Sequence, residues 1–460
     1  MRNEKGGMRN ENSLSSIPNS YINREVEFQY RKRTYTFSLS LDLFSSAGID
    51  TGSRFLLKIF SDFLDKHNAE HGAAKLFGGE LPYTILDAGS GVGVLGICAA
   101  GALSALVPSE TPGSQGVIHV RSQDRDELAR LFTAHNAERN GIKNIEAHAE
   151  PLLAGPAGWD LILTNIPAKA GLPVLEDFVC RSAGLLKKNG LVFLVAVNTL
   201  ADFFRSRIAT AGALLLIEET GKEHTVFVYG RGENSGTMTG SPVIFDEKFP
   251  QSYPFYLRNR DKYEMEGVSY SLDTVHGAAN FDSPGGAAET AAKLAVKIDL
   301  KTKLAATEIP EKTRHSLLIH DAGQGHFGLW LAQYLEAGEY HWVLSGRNVL
   351  ALAAARAALT TTRATMTTII PAVGLGLEQL NIREANRYDF ISFFPATSTE
   401  ANLAESVWQA TEELMASGGI LIAGMSSMEA ERFGRKKTQS FVRLADIKRA
   451  GFRALAWQKR

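Results

Sequence analysis

The chain is organised around the stretch TILDAGSGVGVLGI at residues 84–97. In it, an apolar run is closed by an acid, and a glycine-rich turn then leads into a helical pattern. Glycine lets the backbone turn sharply and admits a ligand where a Cβ would block it, and a helix N-terminus offers free N–H groups to an anionic or carboxylate-bearing ligand. We therefore predict a strand–loop–helix nucleotide site. The residues predicted to hold the ligand are Asp87, Ala88, Gly89, Gly91 and Gly93.

Two classes of nucleotide fit this loop. Gly91, Gly93 and Gly96 satisfy the GxGxxG spacing of dinucleotide-binding loops. Asp87, two residues before Gly89, is placed to accept a hydrogen bond from a ligand ammonium, a group that S-adenosylmethionine carries and NAD lacks. We favour S-adenosylmethionine as the cofactor, with a dinucleotide, or a tight turn without any ligand, as the alternatives.

The sequence contains a long, divergent internal repeat. The loop segment recurs as LLIHDAGQGHFGLWL at residues 317–331, and WDLILTNIPAKAG at 159–171 recurs as YDFISFFPATST at 388–399. A third match joins GLLKKNGLVFLVAV at 184–197 to ELMASGGILIAGM at 413–425. Matches in the same order along the chain indicate two homologous domains.

The domain limits follow from this repeat. We predict a disordered lead at 1–20, a catalytic domain at 21–232 (the N-terminal copy), a linker at 233–244 and a degenerate domain at 245–460 (the C-terminal copy). The joint between the copies is polar and rich in glycine, serine and threonine, as linkers are.

Short β-rich runs alternate with helical patterns in both copies, which predicts an α/β fold. We expect two tandem Rossmann-like domains, each with a mostly parallel sheet, seven-stranded in the N-terminal copy and closed by an antiparallel hairpin. The predicted strands of that copy are 83–87, 117–121, 144–148, 159–164, 190–197, 213–218 and 224–230. The C-terminal copy ends in LAWQKR, which we align to the sixth strand, so we expect it to lack the seventh.

Several acids follow predicted strands and are candidates for the cofactor. Asp124 is placed to hold ribose hydroxyls after the second strand; alternatively, Asp124 and Asp126 only cap the next helix. Glu150 is a candidate for the adenine amino group or a solvated loop acid. Asp50, in GIDTGS, is a candidate for the cofactor or for a helix cap.

At DLILTNIPAKAG (160–171) the sequence resembles a known family. Together with FSLSLDLFSSAGIDTGSRFLL, LDAGSGVGVLGI and DRDELARLFTAHNAERNG, this segment is similar to the class I S-adenosylmethionine-dependent methyltransferases of the small-domain group, which include ribosomal RNA guanine-N2 methyltransferases. The resemblance covers residues 28–230. The tandem members of that family usually degenerate in the N-terminal copy, whereas here the C-terminal copy has lost its motifs.

The resemblance implies a catalytic role for Asn165, Ile166 and Pro167. The family's motif is Asn-Pro-Pro, so Ile166 replaces the first proline. The Asn165 side-chain oxygen and the Ile166 carbonyl would bond an exocyclic amine and aim its lone pair at the methyl group, while Pro167 fixes the direction of that carbonyl. In-line transfer then needs positioning and no strong base. The alternatives are that Asn165 caps the loop and that Lys169, a candidate for phosphate or target contact, is only solvated.

The C-terminal copy is predicted to fold without binding the cofactor well. In our alignment Gly93 corresponds to Phe327, which would fill the cofactor space. Asp124 corresponds to Gly346, and Asn165 to Phe393 or Phe394. We expect this copy to hold substrate RNA or to buttress the N-terminal copy as a pseudo-dimer within a monomeric chain.

Composition narrows the function classes further. Lys and Arg total 49 against 50 Asp and Glu, which argues against a polybasic nucleic-acid binder but leaves room for a local basic face. Two cysteines, predicted to be buried, exclude a disulfide scaffold and show no zinc-site spacing. The N-terminus has no apolar signal region, so we expect a cytoplasmic enzyme without a membrane or metal partner.

Three functions stay open on the sequence alone. The leading one is methylation of an exocyclic amine in rRNA, at guanine N2. The others are a protein or small-molecule methyltransferase and a non-catalytic RNA-binding or assembly factor. Two basic runs are candidates for RNA contact or for ordinary charged surface. One lies at 24–33 and interleaves with the aromatic residues Phe28, Tyr30 and Tyr35, and the other lies at 431–437.

Overall fold

A computed structural model describes most of the chain. The described residues are 17, 21–44, 46–71, 77, 81–106, 118–233, 235–236, 238, 240–241, 249–280, 282–306, 314–321, 323–336, 340–362, 366–374, 388–395 and 403–460. The predicted lead lies, apart from Ile17, outside these residues, and the predicted linker is described only in part. Within the described ranges no helix is long and apolar enough to cross a membrane.

The N-terminal copy alternates strands and helices as its sequence predicts. Its strands are β1 (Arg24–Tyr30), β2 (Arg33–Leu39), β3 (Tyr83–Ala88), β4 (Ile118–Asp124), β5 (Ile145–Ala149), β6 (Gly155–Pro156), β7 (Trp159–Asn165), β8 (Leu186–Val197), β9 (Leu214–Thr220) and β10 (His224–Gly230). Its helices are α1 (Thr51–His71), α2 (Val94–Ser104), α3 (Glu127–Arg139), α4 (Leu172–Leu185) and α5 (Ala201–Thr210).

Seven of these strands form one sheet in the order β5-β4-β3-β7-β8-β10-β9. The first five are parallel, and β10 runs antiparallel to both β8 and β9. All seven predicted strands and the closing hairpin are confirmed. The strand order reverses direction next to β3, which opens a crevice at the carboxyl ends of the strands, where α/β proteins bind ligands.

The C-terminal copy repeats this plan. Its strands are β12 (Leu257–Met265), β13 (Val268–Val275), β14 (His315–His320), β15 (Tyr340–Gly346), β16 (Met366–Pro371), β17 (Tyr388–Phe393), β18 (Met415–Ser426), β19 (Phe441–Arg449) and β20 (Phe452–Lys459), after β11 (Gly240–Ser241), which pairs with β6. Its helices are α6 (Gly286–Lys297), α7 (Leu300–Ala305), α8 (His326–Leu335), α9 (Val349–Thr360), α10 (Leu403–Leu414) and α11 (Ser427–Arg435). Before each main sheet stands a hairpin, β1–β2 or β12–β13.

The prediction that this copy lacks its seventh strand is wrong. Its sheet has the order β16-β15-β14-β17-β18-β20-β19, so LAWQKR belongs to the last strand, β20. The strand that we missed is β19, whose sequence FVRLADIKR mixes four charged residues with five apolar ones and does not alternate between them. Since β19 is an edge strand with most of its residues exposed or half-buried, it needs no apolar run to form.

The alignment of the two glycine loops is also wrong, by two residues. Gly93 begins α2 with φ 87°, and Gly325, rather than Phe327, begins α8 with φ 103°. The amide of Gly89 donates to the Gln123 carbonyl, and the equivalent bond is made by Asp321 to Ser345. The aspartate that we matched to Asp87 therefore stands at the position of Gly89. Strand β14 ends before its Asp-Ala-Gly, whereas β3 continues through Ala88.

The two copies touch through equivalent positions at the starts of α3 and α9. The Glu127 amide donates to the Arg347 carbonyl, and the Val349 amide donates to the Arg125 carbonyl; both hydrogen bonds are 2.9 Å long. The Arg347 guanidinium also forms a bidentate ion pair with Asp126, at 2.7 and 3.0 Å. The bonds are reciprocal, because Arg125 and Arg347 follow corresponding strands.

Each copy buries apolar residues on both faces of its main sheet. One of the two cysteines follows the prediction and one does not. Cys98 is buried within α2, whereas Cys180 is exposed on α4. The periodicity of α4 is apolar enough to suggest burial, but Cys180 falls on the face of the helix that is turned away from the sheet.

Candidate functional site

A cavity of about 350 Å³ opens at the carboxyl ends of β3, β4 and β7. The residues that line it from the N-terminal copy are Asp42, Leu43, Phe44, Gly89, Gly91, Asp124, Arg125, Asp126, Ala129, Pro151, Leu152, Asn165, Pro167, Lys169, Ala170 and Val174. The C-terminal copy adds Tyr256, His276, Gly277, Asn348 and Leu350. The glycine loop, the predicted ribose acid and the NIPAKAG segment therefore meet at one cavity, and both copies form its walls.

The glycine loop is held by the neighbouring strand. The amides of Gly89 and Ser90 both donate to the Gln123 carbonyl, at 2.8 and 2.9 Å. Gly91 has φ 55° and has open space where a Cβ would stand, so the loop backbone is accessible from the cavity. Gly93 does not line the cavity; it begins α2, as described above.

Asp87 and Ala88 lie beneath the loop rather than in the cavity wall. The Asp87 side chain is fully buried and accepts a hydrogen bond of 2.9 Å from the Gly96 amide. A Cβ on Gly96 would stand 2.7 Å from the same carboxylate oxygen, so this helix requires glycine there. Burial raises the pKa of Asp87 to about 7. Ala88 is buried too, and its carbonyl accepts from the Thr164 hydroxyl.

Asp124 is the acid that the structure brings to the cavity. Its carboxylate accepts from the amides of Gly91 and Asp126, at 3.1 and 3.0 Å, and so joins the glycine loop to the start of α3. Burial and the nearby Asp126 raise the pKa of Asp124. Asp126 caps α3 by accepting from the Leu128 amide. Asp126 is therefore the cap of α3, whereas Asp124 bonds the glycine loop, and its contact with ribose hydroxyls stays a prediction.

Glu150 is engaged elsewhere. Its carboxylate accepts from Arg121 at 2.7 Å and from Gln123 at 3.0 Å, and it does not line the cavity, although the next residue, Pro151, does. The ion pair with Arg121 is partly screened from solvent, with side-chain exposures of 18% and 25%. In this arrangement the Glu150 carboxylate faces Arg121 and Gln123 and is not directed at the cavity where an adenine ring would bind.

Asp50 acts on Asn165 in this structure, and it does not line the cavity. Its carboxylate caps α1 by accepting from the Ser53 amide at 2.8 Å, and it also accepts from the Asn165 amide nitrogen at 2.7 Å. The Ser53 hydroxyl accepts from the same nitrogen at 3.1 Å. Because a carboxylate only accepts, the nitrogen of Asn165 must face Asp50. This orientation leaves the Asn165 carbonyl oxygen as the acceptor on the other side of the amide.

The residues after Asn165 form a tight turn at the cavity. The side chain of Ile166 is buried, with 3% of its surface exposed, so it anchors the turn in the core beneath. Pro167 has φ −72° and ψ 135°, and its carbonyl accepts from Ala170. Pro167, Lys169 and Ala170 all line the cavity.

The equivalent region of the C-terminal copy is a smaller cavity, of about 150 Å³. Strand pairing places Phe394 at the position of Asn165 and Gly346 at that of Asp124. The rings of Phe327 and Phe394 meet there, 4.9 Å apart. Phe394 thus occupies the place of the amide and Gly346 that of the acid, while the Phe327 ring packs beside Phe394.

The basic run at 24–33 does not form the aromatic RNA surface that the sequence allowed. Phe28, Tyr30 and Tyr35 are buried in the core, with 8% or less of their surfaces exposed. Arg31 pairs with Asp65 at 2.6 Å. In the run at 431–437, Lys436 pairs with Glu405 and Arg435 with Glu431. The alternation of charged and aromatic residues in the first run comes from a hairpin with one buried face.

Sequence reasoning missed Ser53 and the residues contributed by the C-terminal copy. Ser53 stands in the same GIDTGS segment as Asp50, so its place near Asn165 has a sequence signal. Tyr256 and His276 have none, because they come from the other copy, about 90 and about 110 residues after Asn165, respectively. Among the residues that the structure describes, no cluster of three His, Cys, Asp or Glu residues is arranged to hold a metal ion.

Comparison with known proteins bears on the family and the fold. Residues 34–206 match the model of the family "Methyltransferase small domain". An "Uncharacterized protein YbxB" of Bacillus subtilis is 28% identical over 189 residues, which cover 40% of this chain and 80% of that protein. The ribosomal protein L11 methyltransferase of Thermosipho melanesiensis is 33% identical over 114 residues, which cover 25% of this chain and 37% of that protein.

The fold of the whole chain is similar to that of a solved structure, which it covers from end to end. The 16S rRNA N2 methyltransferase (RsmC) of T. thermophilus, solved in complex with AdoMet and guanosine, superposes with a TM-score of 0.56 over 96% of this chain and all of that one. The two sequences are 14% identical, so this likeness concerns the fold. Residues 34–206 therefore carry a methyltransferase small domain, as the resemblance implied, and the chain as a whole shares the fold of that solved structure.

Proposed function

We propose that the chain is an S-adenosylmethionine-dependent methyltransferase whose N-terminal copy methylates an exocyclic amine of a base in rRNA, at guanine N2. The observation that carries this proposal is the fixed orientation of Asn165. Two hydrogen bonds from its amide nitrogen leave its carbonyl oxygen to meet an amine in the cavity. The family match and the RsmC fold support the same reading.

The cavity has the features that S-adenosylmethionine requires. Open backbone at Gly91 admits a ligand to the glycine loop, and the Asp124 carboxylate beside it offers acceptor lone pairs to ribose hydroxyls. Asp87 and Ala88 support this loop from below. When bound, S-adenosylmethionine supplies a methyl group on a positively charged sulfur that leaves readily as a neutral thioether.

The chain's own residues position the acceptor. The Asn165 side-chain oxygen and the Ile166 carbonyl oxygen each accept a hydrogen bond from one N–H of the exocyclic amine. These two bonds turn the nitrogen lone pair toward the methyl group. Pro167 holds the turn through its fixed φ. The substituted amine loses its proton to water, so the site needs no general base. Preorganised acceptors of this kind are the main means of catalysis where positioning decides the rate.

The C-terminal copy acts in this proposal as a pseudo-dimer partner within one chain. The reciprocal backbone bonds at the starts of α3 and α9 support this role. The domain limits 21–232 and 245–460 are part of the same proposal. Lys169, which lies in the NIPAKAG turn and in the cavity wall, is proposed to contact an RNA phosphate.

Calorimetric titration with S-adenosylmethionine and transfer of tritiated methyl groups test the proposal together. We expect one site per chain in the wild type, loss of binding in Asp124→Ala, and retained binding in Asn165→Ala with transfer reduced at least about 100-fold. Transfer is measured on 16S and 23S rRNA as separate acceptors. A wild-type protein that binds no cofactor refutes the proposal.

A second candidate function is methylation of a protein. The match to a ribosomal protein methyltransferase favours a protein acceptor, although that match spans 37% of the relative. Asn165 would bond a glutamine amide as it would a base amine. Label that appears in ribosomal protein fractions and not in RNA would decide for this candidate.

A further inference from the structure

The acceptor turn of the N-terminal copy carries no aromatic side chain of its own. The segment from Asn165 to Gly171 reads NIPAKAG. A base that is held only by two hydrogen bonds at one edge remains free to tilt, and proteins that bind extruded bases usually stack them on an aromatic ring. The ring must therefore come from elsewhere in the cavity wall.

Three aromatic side chains line the cavity, namely Phe44, Tyr256 and His276. Phe44 lies near Asp42, whose carbonyl accepts from Arg347, and so stands on the side of the Asp126 ion pair. Tyr256 is only 3% exposed, and its ring lies 4.7 Å from that of Phe255 within an aromatic cluster. Tyr256 therefore has no free face to offer to a base at Asn165. Phe44 is 69% exposed, but the ring that packs against the acceptor turn is that of His276.

His276 lies directly on the acceptor turn. A Cβ added to Gly171 would come within 2.6 Å of the His276 ring nitrogen Nδ1, and Gly171 has φ 95°. The imidazole therefore occupies the space that the missing side chain leaves, at the end of NIPAKAG. The ring is half-buried, so part of it is open to the cavity.

The loop that carries His276 is held at several points. The His276 amide donates to the Tyr256 carbonyl at 2.8 Å, and the Gly277 carbonyl accepts from the Asn348 side chain at 2.8 Å. Asn348 directly follows Arg347, which is paired with Asp126 of the N-terminal copy. The position of the ring relative to the acceptor turn is thus fixed by contacts between the copies. Burial and the nearby Arg258 lower the pKa of His276, which favours a neutral ring.

We propose that His276 of the C-terminal copy stacks on the planar base presented to Asn165, so that the degenerate copy supplies one wall of the acceptor site. This inference rests on the proposed function. It gives the copy without a cofactor site a direct part in binding the acceptor.

Steady-state transfer to rRNA and calorimetric titration with guanosine, in the presence of S-adenosylhomocysteine, test the inference. We expect His276→Ala to raise the KM for the RNA and the Kd for guanosine by about tenfold. The affinity for S-adenosylmethionine stays within about twofold, which also shows that the variant is folded. His276→Phe, which keeps a flat ring, restores both constants.

The control is His119→Ala, because His119 is exposed on β4 near the end of the strand away from the cavity. Unchanged constants in His276→Ala overturn the inference. Restoration by His276→Gln but not by His276→Phe also overturns it, since a hydrogen bond rather than stacking would then be at work. A wild type that transfers no methyl group refutes the proposed function instead, and guanosine binding then tests His276 by itself.

Discussion

The two copies of this chain share one backbone plan and differ in the few side chains at the cavity. Strand order, the helix starts at Gly93 and Gly325, and the bond from the glycine loop to the second strand are the same in both. Where the N-terminal copy has Asp124 and Asn165, the C-terminal copy has Gly346 and Phe394. The comparison teaches that apolar patterning keeps this fold while the polar residues of the site are lost.

The difference extends beneath the glycine loop. Asp87 of the N-terminal copy is a buried acid, and Ile319 stands at the same place in β14, where it packs against Gly328. A buried carboxylate is costly, whereas an isoleucine there adds to the core. The C-terminal copy thus has an apolar group that adds to its core where the N-terminal copy has a buried acid.

The largest expected effect concerns the rings that fill the C-terminal copy. Phe327 is 1% exposed, so Phe327→Ala should lower the free energy of unfolding of this copy by about 3–5 kcal/mol. No second S-adenosylmethionine site should appear, because Gly346 offers no carboxylate. Chemical denaturation and calorimetric stoichiometry measure the two results.

Phe452→Ala is the matched control for Phe327→Ala. Phe452 borders the same small cavity but is 36% exposed, so its loss should cost much less. Binding of two cofactor molecules per chain by Phe327→Ala would show that the filled cavity, and not the missing acid, is what separates the copies.

The second prediction concerns the pH dependence that Asp87 imposes. Its pKa is about 7 in the folded protein, against an ordinary value of 3.8 for an aspartate, so between these values the folded state holds a proton that the unfolded state has lost. Stability should therefore fall as the pH rises through this window. One pH unit corresponds to about 1.4 kcal/mol. In Asp87→Asn, the decrease in the free energy of unfolding between pH 5 and 7 should therefore be about 2 kcal/mol smaller than in the wild type.

Denaturation of the cofactor-free protein at pH 5 and pH 7 checks this effect. The variant keeps an acceptor for the Gly96 amide, so the loop should remain formed. Asp160→Asn serves as a control, since this buried acid is paired with Lys187 at 2.6 Å and lies outside the cavity. Equal pH dependence in the wild type and Asp87→Asn would contradict the assignment.

The third prediction isolates the positioning of Asn165. Asp50→Ala should lower the kcat for methyl transfer about 30-fold, or about 2 kcal/mol, because the Asn165 amide is then free to flip. The affinity for S-adenosylmethionine should change less than threefold. Asp50→Ser should recover the helix cap of α1, and with it the stability, but not the rate.

Comparison of the two Asp50 variants separates the roles of this residue. A wild-type rate in both would mean that Asp50 is only a cap. Loss of cofactor affinity in both would return Asp50 to the cofactor contact that the sequence first suggested.

The smallest effect expected is that of the contact between the copies. Arg347→Ala should weaken binding of S-adenosylmethionine about tenfold, or about 1.4 kcal/mol. Without the guanidinium, the Asp126 carboxylate is no longer neutralised and repels the nearby Asp124 carboxylate, and the Asp42 carbonyl loses its hydrogen-bond donor. Arg347→Lys should be intermediate, since lysine cannot form the bidentate pair.

Arg435→Ala is the control for Arg347→Ala, because its guanidinium is 74% exposed on α11 and pairs within that helix. Titration calorimetry at low and moderate salt measures all three affinities. An unchanged affinity in Arg347→Ala would mean that the C-terminal copy has no part in shaping the cofactor side of the cavity.

The strands and the site segments of this protein were predictable because local patterns encode them. Residues adjacent in the sequence are enough to predict the seven strands of the N-terminal sheet, the glycine loop and the NIPAKAG turn. The errors were of another kind. The edge strand β19 has no alternating apolar pattern, and the shared Asp-Ala-Gly concealed a shift of two residues between the loops.

The sequence by itself determined the fold class, the repeat, and which segments meet at the cavity, because apolar periodicity and glycine positions act over a few residues. Only the tertiary structure decided which acid does what. Asp124 reaches the loop, Asp50 turns Asn165, and Glu150 is taken by Arg121. Only the tertiary structure brought His276 to the acceptor turn, because a contact between domains depends on packing in space, which no local pattern records.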